Sequence, residues 1–440
     1  MVVVNVFGAG LAGCEAAWQI AKRGVGVRLY EMKPDKMTPA HKSTDLCELI
    51  CSNSLKAARV ESAAGLLKEE MRRIGSLLMQ CADKCSVPAG GALAVDRNRF
   101  SAMVTERIKS EPMIGLISRE VTELPDDGIT VVATGPLTSD ALAEKISELC
   151  GSSLHFFDAA APIVTAESID MSCAFTASRY GKGGDDAYIN CPMNREEYES
   201  FHAALVSAER APRHDVDVQN PKVYEGCMPI EILAQRGLDT MRFGPMKPVG
   251  LKDPRTGHRP WAVLQLRSEN EAKTMYNLVG FQTNLKFPEQ KRVFGMIPAL
   301  KNAEFVRYGV MHRNTFLDSP RLLCSDYSMR SRPQLFFAGQ MTGVEGYMES
   351  ASSGMMAGIN AVRRLKGLPT ITLPEQTMIG SLSRYISDST VKDFQPMGAN
   401  LGILPPLEEQ IRDKKMRAAK YAQRSLEALD GLLEILKTGE

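Results

Sequence analysis

The stretch VVVNVFGAGLAGCEAA, residues 2–17, decides the fold. Its first part is a short, largely apolar run that predicts a buried strand, and the Ala-rich segment from Cys14 to Arg23 predicts a helix. The run VGVRLYE at 25–31 predicts a second strand that ends on Glu31. Strand, glycine turn, helix and strand in this order are typical of a dinucleotide-binding βαβ unit.

The glycines at 8, 10 and 13 give the turn its chemistry. This spacing allows a tight turn, lets a pyrophosphate approach backbone N–H groups at the helix N-terminus, and permits close packing of helix on strand. Glu31, 18 residues after Gly13, suits a ribose hydroxyl. We therefore predict that a nucleotide cofactor binds the turn and the acid, which are Gly8, Ala9, Gly10, Leu11, Ala12, Gly13 and Glu31.

The composition predicts a globular protein with substantial hydrophobic cores and almost no net charge. Of 440 residues 44% are hydrophobic, and 53 basic residues stand against 52 acidic ones, so a polyanion would have to meet a local cluster of cations. Ten cysteines lack the spacing of a disulfide framework or a metal site, which predicts a reduced, cytoplasmic protein without metal. Neither a signal peptide nor a membrane span is expected.

Two further runs, ITVVATGP at 129–136 and QLFFAGQ at 334–340, predict strands of the same nucleotide fold. Each ends at a glycine where a cofactor can approach. The second leads into a helix rich in small residues, 341–358, whose N-terminus is expected to face a flavin ring. The predicted cofactor contacts in these segments are Thr134, Gly135, Gly339, Gln340, Gly346 and Tyr347.

Because the nucleotide fold closes only after residue 334, the chain before it must hold an insertion. Segment 156–325 carries its own alternating runs, such as WAVLQLR at 261–267, and is expected to be a substrate domain. The predicted fold class is α/β, a Rossmann-like FAD-binding domain of the glutathione-reductase type (1–155 and 326–440) with an inserted α+β domain. A charged helix is expected from Leu407 onward, with cations at Arg412, Lys414, Lys415, Arg417, Lys420 and Arg424.

The layout favours FAD over NAD as the tightly held cofactor. A nucleotide turn near residue 8, a separate ATG turn and a late strand-AGQ-helix element are typical of two-dinucleotide flavoproteins. A second GxGxxG is absent, so NADH or NADPH is expected to act as a transient reductant that docks near the flavin.

Two cysteines stand in unusual local sequence, Cys51 in ELICSNSLK and Cys227 in YEGCMPIE. Residues 52–54 could start a helix whose dipole favours a thiolate at Cys51, and Gly226 leaves the thiol of Cys227 accessible. Nucleophilic or acid–base chemistry is therefore expected of both. Other cysteines are expected to be small core residues, namely Cys14, Cys47, Cys81, Cys85, Cys150 and Cys324.

Over almost its whole length the chain resembles the folate- and FAD-dependent tRNA (uracil-5-)-methyltransferases. The motifs that carry the resemblance are GAGLAGCEAA (8–17), CSNSL (51–55), VPAGGALAVDR (87–97), SRYGK (178–182), EGCMPIE (225–231), RFGPMKPVGL (242–251), VGFQT (279–283), RYGVMHRNT (307–315) and FQPM (394–397). So many long strings in one order make chance similarity untenable.

The resemblance implies a specific reaction. 5,10-Methylenetetrahydrofolate supplies a one-carbon unit, reduced FAD relays it, NADH or NADPH supplies electrons, and the acceptor is the T-loop uridine of tRNA. By motif, Cys227 is the nucleophile that adds to uracil C6, and Cys51 is the assisting base or guard. No obligate protein partner is implied.

A base inside a folded T loop must be extruded to react, and its phosphates must be gripped outside the pocket. Candidate cations are Arg242, Lys247, Lys252, Arg255, Arg307, Arg313 and the cations of the tail helix. The alternative for each is an ordinary solvated charge. Only clustering around one pocket mouth would distinguish the two.

Three further residues have two interpretations each. Tyr347 is expected to pack on or near the isoalloxazine, with an ordinary core aromatic as the alternative. Arg97 could meet the folate glutamate or orient the flavin, or form a structural ion pair with Asp96 or Asp83. Asn284 stands where relatives often carry His, so a stacked pterin would meet less π surface here.

Three other functions remain open at this point. A larger flavoprotein that modifies wobble uridines with a GTPase partner shares the N-terminal fingerprint, but its C-terminal helical domain needs more residues than remain here. A plain NAD(P)H-dependent flavin oxidoreductase would act on a small molecule, with both cysteines structural or redox-active. A flavin-stabilised RNA-binding protein would have no catalytic activity.

Overall fold

The βαβ unit predicted at the N-terminus is present. A computed structural model describes residues 3–38, 40–151, 154–181, 187–211, 228–391 and 394–438. In it β1 (Val3–Phe7) leads through the glycine turn into α1 (Leu11–Ala21), and β2 (Gly26–Glu31) returns parallel to β1. The helix and both strands are largely buried, as a dinucleotide fold requires.

The other elements follow along the chain. The strands are β3 (Ser54–Ala57), β4 (Ser86–Val87), β5 (Ala92–Val95), β6 (Ile114–Ser118), β7 (Thr130–Val132), β8 (Leu154–Ala159), β9 (Ile163–Thr165), β10 (Phe175–Thr176), β11 (Ile189–Met193), β12 (Ala262–Ser268), β13 (Met275–Leu278), β14 (Phe305–Arg307), β15 (Met311–Phe316), β16 (Ser328–Met329) and β17 (Arg332–Phe337). The helices are α2 (Ala63–Ile74), α3 (Leu77–Lys84), α4 (Arg97–Lys109), α5 (Asp140–Cys150), α6 (Arg195–Ser207), α7 (Ile230–Gln235), α8 (Thr240–Phe243), α9 (Phe287–Phe294), α10 (Ser319–Leu322), α11 (Tyr347–Leu365), α12 (Met378–Tyr385), α13 (Lys414–Asp430) and α14 (Leu433–Thr438).

The first sheet has the order β16-β17-β7-β1-β2-β6, parallel except for β16. Its strands come from both ends of the chain, so β7 and β17, the two runs predicted to belong to the nucleotide fold, pair side by side. Since the carboxyl ends of parallel strands meet at one edge, the turns after β1, β2, β7 and β17 converge there.

A second, antiparallel sheet has the order β10-β11-β12-β13-β9-β14 and is built from the middle of the chain. The chain enters this region through β8 and leaves it through β15, and these two strands pair with each other. The predicted boundary at 156 falls inside β8, and that at 325 follows α10. A third, small sheet is formed by β3, β5 and β4, which precede the strands of the second sheet in sequence.

Small residues bring α1 and α11 into close contact. A Cβ atom on Gly354 would lie 2.1 Å from the carbonyl oxygen of Ala12, and one on Gly358 would lie 2.6 Å from that of Ala16. The helix rich in small residues, predicted from the sequence, therefore packs its glycines on the helix that begins at the glycine turn. This contact fixes the N-termini of both helices at the same edge of the first sheet.

Two local predictions are wrong. Residues 52–54 do not begin a helix, because Ser54 is the first residue of β3 and pairs with β5; the next helix is α2, capped by Ser62. The tail helix begins at Lys414 and not near Leu407, because the side chain of Asp413 caps it by accepting from the N–H of Met416. Within the described ranges no helix is long and apolar enough to cross a membrane.

Candidate active site

A cavity of about 380 Å³ lies along the carboxyl edge of the first sheet. It has the size and the mostly apolar lining of a small-molecule site. The predicted residues that line it are Gly8, Ala9, Gly10, Leu11, Ala12, Glu31, Cys51, Thr134, Gly135, Gly339, Gln340, Gly346 and Tyr347. The structure therefore brings together segments that are more than 300 residues apart in sequence.

The three glycines of the turn have different surroundings. Gly8 has φ +92°, and a Cβ there would lie 2.7 Å from the carbonyl oxygen of Ala133. A Cβ on Gly10 would meet open space, on the side where the turn lines the cavity. Gly13 does not line the cavity, since its Cβ would lie 1.7 Å from the carbonyl oxygen of Gly8. Gly13 thus serves helix–strand packing, and Gly10 is the glycine that leaves room for a ligand.

Glu31 holds the turn as well as lining the cavity. One carboxylate oxygen accepts from the backbone N–H of Ala9 at 3.0 Å, and the other accepts from that of Lys33 at 3.1 Å. A carboxylate has about four lone-pair sites, so acceptor capacity remains for a hydroxyl group.

The opposite wall is formed where β17 ends and α11 begins. Gly339 has φ +84° and Gly346 has φ +126°, conformations that glycine adopts without strain. The side chain of Gln340 donates to Glu345 at 2.7 Å, and the hydroxyl groups of Thr134 and Thr138 lie 2.6 Å apart at the end of β7. Glycine turns and side-chain hydrogen bonds therefore fix the shape of this wall.

Cys51 and Tyr347 are in contact inside the cavity. The Cys51 sulfur lies 3.0 Å from the Tyr347 phenolic oxygen, and that oxygen accepts from the backbone N–H groups of Cys51 at 2.9 Å and Ser52 at 3.2 Å. Burial raises the pKa of Tyr347 well above its usual value, so the phenol stays protonated at neutral pH. Tyr347 therefore fixes the thiol and the backbone around it.

Arg97 holds the chain just before Cys51. Its guanidinium donates to the carbonyl groups of Leu49 and Ile50, at 2.5 and 3.1 Å, and pairs with Glu269 at 2.9 Å. Arg97 therefore forms a structural ion pair, which was one of its two interpretations, but the partner is Glu269 and not Asp96 or Asp83. The sequence could not indicate this, because Glu269 follows β12 in the second sheet.

Arg267 and Asn53 hold the chain just after Cys51, and sequence reasoning missed both. Arg267, on β12, donates to the side chains of Asn53 and Ser52, each at 2.8 Å. The Asn53 amide in turn donates to the carbonyl groups of Val95 and Ser268. Asn53 and Arg267 are both buried. The one available signal was a charged residue in the run WAVLQLR, which is apolar apart from Gln265 and Arg267.

Other polar side chains reach the cavity without having been predicted. Lys56 has φ +64° and contacts the buried carboxylate of Glu349 at 2.7 Å. His41 lines the cavity, and burial together with the charge of Lys33 lowers the pKa of His41. A neutral imidazole is therefore favoured at neutral pH. Among the described residues, no cluster of His, Cys, Asp and Glu could hold a metal ion.

The predicted phosphate-binding cations do not all share one surface. Lys247, Lys252 and Arg255 are exposed near the start of β12, and Arg242 stacks on Trp261 at 3.7 Å from the ring centre. Arg307 is half-buried, and burial lowers its pKa. The side chain of Arg313 lies outside the described part of the chain. Among the tail cations, Arg412 precedes α13 and the others lie on the helix; those that are exposed are Arg412, Lys414, Lys415, Arg417 and Lys420.

Cys227 falls outside the described residues, so its prediction is carried by sequence alone. Asn284 is buried and donates to the carbonyl group of Ala211, while Gln282, two residues earlier, lines the cavity.

The six cysteines that were expected to be small core residues follow this expectation in part. Four are buried, Cys14, Cys47, Cys81 and Cys85, and two are half-buried, Cys150 and Cys324.

The fold has solved counterparts. Two structures of GidA from Aquifex aeolicus superpose with TM-scores of 0.70 and 0.71 at 16% and 17% identity, covering 98% and 99% of this chain and 73% and 76% of theirs. The family model described as "Glucose inhibited division protein A" matches residues 3–369. The molecule is therefore an α/β protein of the GidA fold with a Rossmann-type dinucleotide-binding domain, and the predicted fold class is confirmed.

Sequence relatives define the family more narrowly. Proteins named Methylenetetrahydrofolate--tRNA-(uracil-5-)-methyltransferase TrmFO are 61% identical in Acetivibrio thermocellus, 59% in Pelotomaculum thermopropionicum and 56% in Brevibacillus brevis. The alignments cover 97–98% of this chain and 97–99% of the relatives. The chain belongs to this methyltransferase family, as the motifs predicted.

Proposed function

We propose that this protein methylates C5 of the T-loop uridine of tRNA. The carbon comes from 5,10-methylenetetrahydrofolate through reduced FAD, with NADH or NADPH as electron donor. The observation that carries the proposal is the single cavity in which the glycine turn, Glu31, the Gly339 turn, Tyr347 and Cys51 meet. The relatives of 56–61% identity support the same reaction by their names. A tRNA substrate and reduced thiols such as that of Cys14 fit an enzyme of the cytoplasm.

The residues present fit FAD. The open space at Gly10 and the N–H groups at the start of α1 suit a pyrophosphate, and Glu31 suits a ribose hydroxyl at the end of β2. Gly339, Gly346 and Tyr347 would then border the ring. When bound and reduced, FAD supplies the relay of the one-carbon unit and the electrons that convert it to a methyl group.

Uracil C5 is a poor nucleophile, so the enzyme must activate it. We assign the activation to Cys227, whose thiolate forms a bond to C6 while the C5–C6 double bond becomes an enolate over C5, C4 and O4. C5 then forms its bond to the one-carbon unit, the bond between that carbon and its carrier nitrogen breaks, and the two electrons that bound, reduced FAD would supply leave the carbon as a methyl group. Removal of the C5 proton restores the double bond and expels the Cys227 thiolate.

The base that removes the C5 proton must lie next to the reacting carbon. We assign this role, or protection of the intermediate, to Cys51, which the Tyr347 hydroxyl holds at 3.0 Å. Arg97 and Arg267 fix the backbone on either side of Cys51, so this thiol is preorganised. Tyr347 of α11 holds Cys51 itself, and side chains from α4 and β12 hold its neighbours, which is more constraint than a core cysteine needs.

The replacement Cys227→Ala separates this proposal from a plain NAD(P)H-dependent flavin oxidoreductase. The variant should bind FAD and oxidise NAD(P)H at the parent rate, while methyl transfer to tRNA is lost. Cys324→Ala is the matched control, because Cys324 is half-buried away from the cavity lining, and it should keep both activities. Retained methyl transfer in Cys227→Ala would refute the assigned nucleophile, and absence of methyl transfer in the parent would refute the function.

A further inference from the structure

The two halves of helix α13 have different surroundings. Its buried residues, Ala422, Ser425 and Leu429, all lie in the C-terminal half, and two of them belong to the core around the first sheet. Every residue from 412 to 417, by contrast, is exposed. The first half of α13 therefore projects from the body of the protein instead of packing on it.

The projecting half is strongly basic. Segment 412–420, RDKKMRAAK, contains five Arg and Lys residues and one Asp, and all five cations are exposed. Within the described part of the chain none of them pairs with an acidic side chain, and Arg417 reaches only the carbonyl group of Ile411, at 3.5 Å. Asp413 caps the helix, and the two exposed acids Glu408 and Glu409 precede the segment. Five cations against three acids leave the region from 408 to 420 positive.

These charges oppose the usual preference of a helix. Lys414, Lys415 and Arg417 stand at its N-terminal end, where the helix dipole is itself positive, and neither an acid in the first turn nor a base in the last turn compensates. Helix α2 shows the usual arrangement, with Arg72 and Arg73 in its last turn. The cations of α13 therefore do not stabilise the helix, and they add to a positive potential that an anion would neutralise.

Contacts with α2 set the direction of the projecting half. Ser425 donates to Glu70 at 2.5 Å, and Asp430 pairs with Arg73 at 2.6 Å. These contacts come in the same order along both helices, so α13 runs in the direction of α2. The rise from Lys414 to Ser425 is about 16 Å, and that from the start of α2 to Glu70 is about 10 Å. The basic half thus extends beyond the N-terminal end of α2.

That end of α2 adjoins the cavity. The preceding strand β3 contains Leu55 and Lys56, which line the cavity, and Lys68 of α2 donates to the carbonyl group of Leu55 at 2.7 Å. The loop between β3 and α2 has exposed charges of both signs, Arg59 and Glu61. The local excess of positive charge therefore comes from α13.

A second connection leads from the cavity wall to α13. A Cβ on Gly398 would lie 3.0 Å from the carbonyl oxygen of Glu345, which lines the cavity. Further along this segment, the carbonyl groups of Pro405 and Pro406 accept from Arg424 of α13 at 2.6 and 2.9 Å. The chain from Gly398 to Pro405 spans at most about 25 Å. A folded RNA could therefore contact the basic half while one of its bases enters the cavity.

The side chains of the basic half suit a base-paired RNA. The segment RDKKMRAAK has no aromatic ring on which an unpaired base could stack. In a double-stranded stem the bases are stacked inside, and proteins contact mainly its phosphates and 2′-hydroxyl groups. Arg and Lys side chains bind such phosphates independently of sequence.

We propose that Arg412, Lys414, Lys415, Arg417 and Lys420 form a basic arm that binds the phosphates of a base-paired stem of the tRNA substrate. The proposal rests on the proposed function, because it takes tRNA as the substrate. The arm holds the stem while the loop reaches the cavity. It therefore determines the affinity for tRNA and not the rate of the chemical step.

The test is the arm variant Lys414→Gln/Lys415→Gln/Arg417→Gln, since Gln resembles Lys and Arg in helix propensity. Its affinity for a tRNA transcript and for a T-arm hairpin should fall at least tenfold. The slope of log affinity against log salt should decrease by about two to three, because three phosphate contacts are lost. The KM for tRNA should rise with kcat unchanged. The thermal midpoint should stay the same or rise, because cations leave the positive end of the helix.

Two controls accompany the arm variant. Lys84→Gln/Lys109→Gln/Lys145→Gln makes the same change in net charge at exposed positions on α3, α4 and α5, and it should keep the parent affinity and salt slope. A single-stranded RNA of the T-loop sequence, which lacks the stem, should bind the parent and the arm variant alike. FAD content reports that each variant folds.

Unchanged affinity and salt slope for tRNA in the arm variant would overturn the proposal and indicate another partner, such as an acidic protein surface. Equal losses in the control variant, or for the single-stranded RNA, would also overturn it. Failure of the proposed function looks different. If the parent binds tRNA through the arm but transfers no carbon from folate, the arm stands and the reaction is wrong. If it transfers carbon and the arm variant binds tRNA as the parent does, the reaction stands and the arm is wrong.

Discussion

The sulfur of Cys51 lies 3.0 Å from the phenolic oxygen of Tyr347, 296 residues away in sequence. The same oxygen accepts from two backbone N–H groups, so one hydroxyl orders the thiol and its loop. This contact joins the first residue of α11 to the segment that leads into β3. The candidate catalytic thiol is thereby placed at the wall of the predicted cofactor cavity.

Tyr347→Phe should slow methyl transfer while FAD binding persists. The change leaves the N–H groups of Cys51 and Ser52 without their acceptor, which costs about 1–3 kcal/mol and loosens the loop. Steady-state kcat and denaturant unfolding measure the two effects. Tyr385→Phe is the matched control, because the Tyr385 hydroxyl donates to Gln395 on the exposed surface, and it should keep the parent kcat. An unchanged kcat in Tyr347→Phe would contradict the role given to the hydroxyl.

Gly10→Ala and Gly13→Ala should fail in different ways. Alanine at 10 meets open space and an ordinary φ of −76°, so the protein should fold but lose FAD affinity at least tenfold. Alanine at 13 would collide with the carbonyl oxygen of Gly8, so the apoprotein of this variant should already be less stable than the parent apoprotein. Thermal midpoints of the apoproteins and FAD titrations distinguish them. Equal loss of stability in both would refute the division of roles.

Breaking the Arg97–Glu269 pair should be costly because the pair is largely buried. Arg97→Met leaves the Glu269 carboxylate unpaired and should lower the free energy of unfolding by about 3–5 kcal/mol. The double variant Arg97→Met/Glu269→Leu should lose less than the sum of its single variants, as urea unfolding would show. The exposed pair Arg195–Glu199 is the control and should contribute about 0–1 kcal/mol. Additive losses at Arg97 and Glu269 would contradict the coupling.

Glu70 should give stability a pH dependence of defined sign. Its carboxylate caps α12 through the N–H groups of Met378 and Ile379 and accepts from the hydroxyl of Ser425. Burial raises the pKa of Glu70 from 4.5 to about 7, so the folded state holds the proton more tightly than the unfolded chain. The contribution of this group is therefore complete below about pH 4.5 and is lost as pH rises through about 7.

The test compares urea unfolding at pH 5 and pH 8. The parent should lose stability over this range by an amount that Glu70→Gln lacks, on the order of 3 kcal/mol. Glu69→Gln, a change on the same helix that removes a partner of Arg73, should keep the pH dependence of the parent. Identical pH dependence in the parent and Glu70→Gln would show that Glu70 does not titrate in this range.

Local sequence patterns predicted the strands and the turn that form the cofactor cavity. The remaining features of the site depend on contacts between residues far apart in sequence, which local patterns do not contain. The turn at Gly8 and the strands after residues 129 and 334 carry their signals in adjacent residues, because backbone conformation and strand burial are local properties. The helix expected at Ser52 did not form because Tyr347 and β5 compete for that backbone. The partners Glu269 and Arg267 stayed hidden, since they reach Cys51 from the second sheet.

The most direct test of the proposed reaction is transfer of labelled carbon from 5,10-methylenetetrahydrofolate to a tRNA T-loop uridine. The assay contains FAD and NADPH or NADH, and S-adenosylmethionine serves as the alternative donor in a parallel reaction. We predict label at uracil C5 from the folate and none from S-adenosylmethionine. Incorporation from S-adenosylmethionine alone would contradict the proposed function.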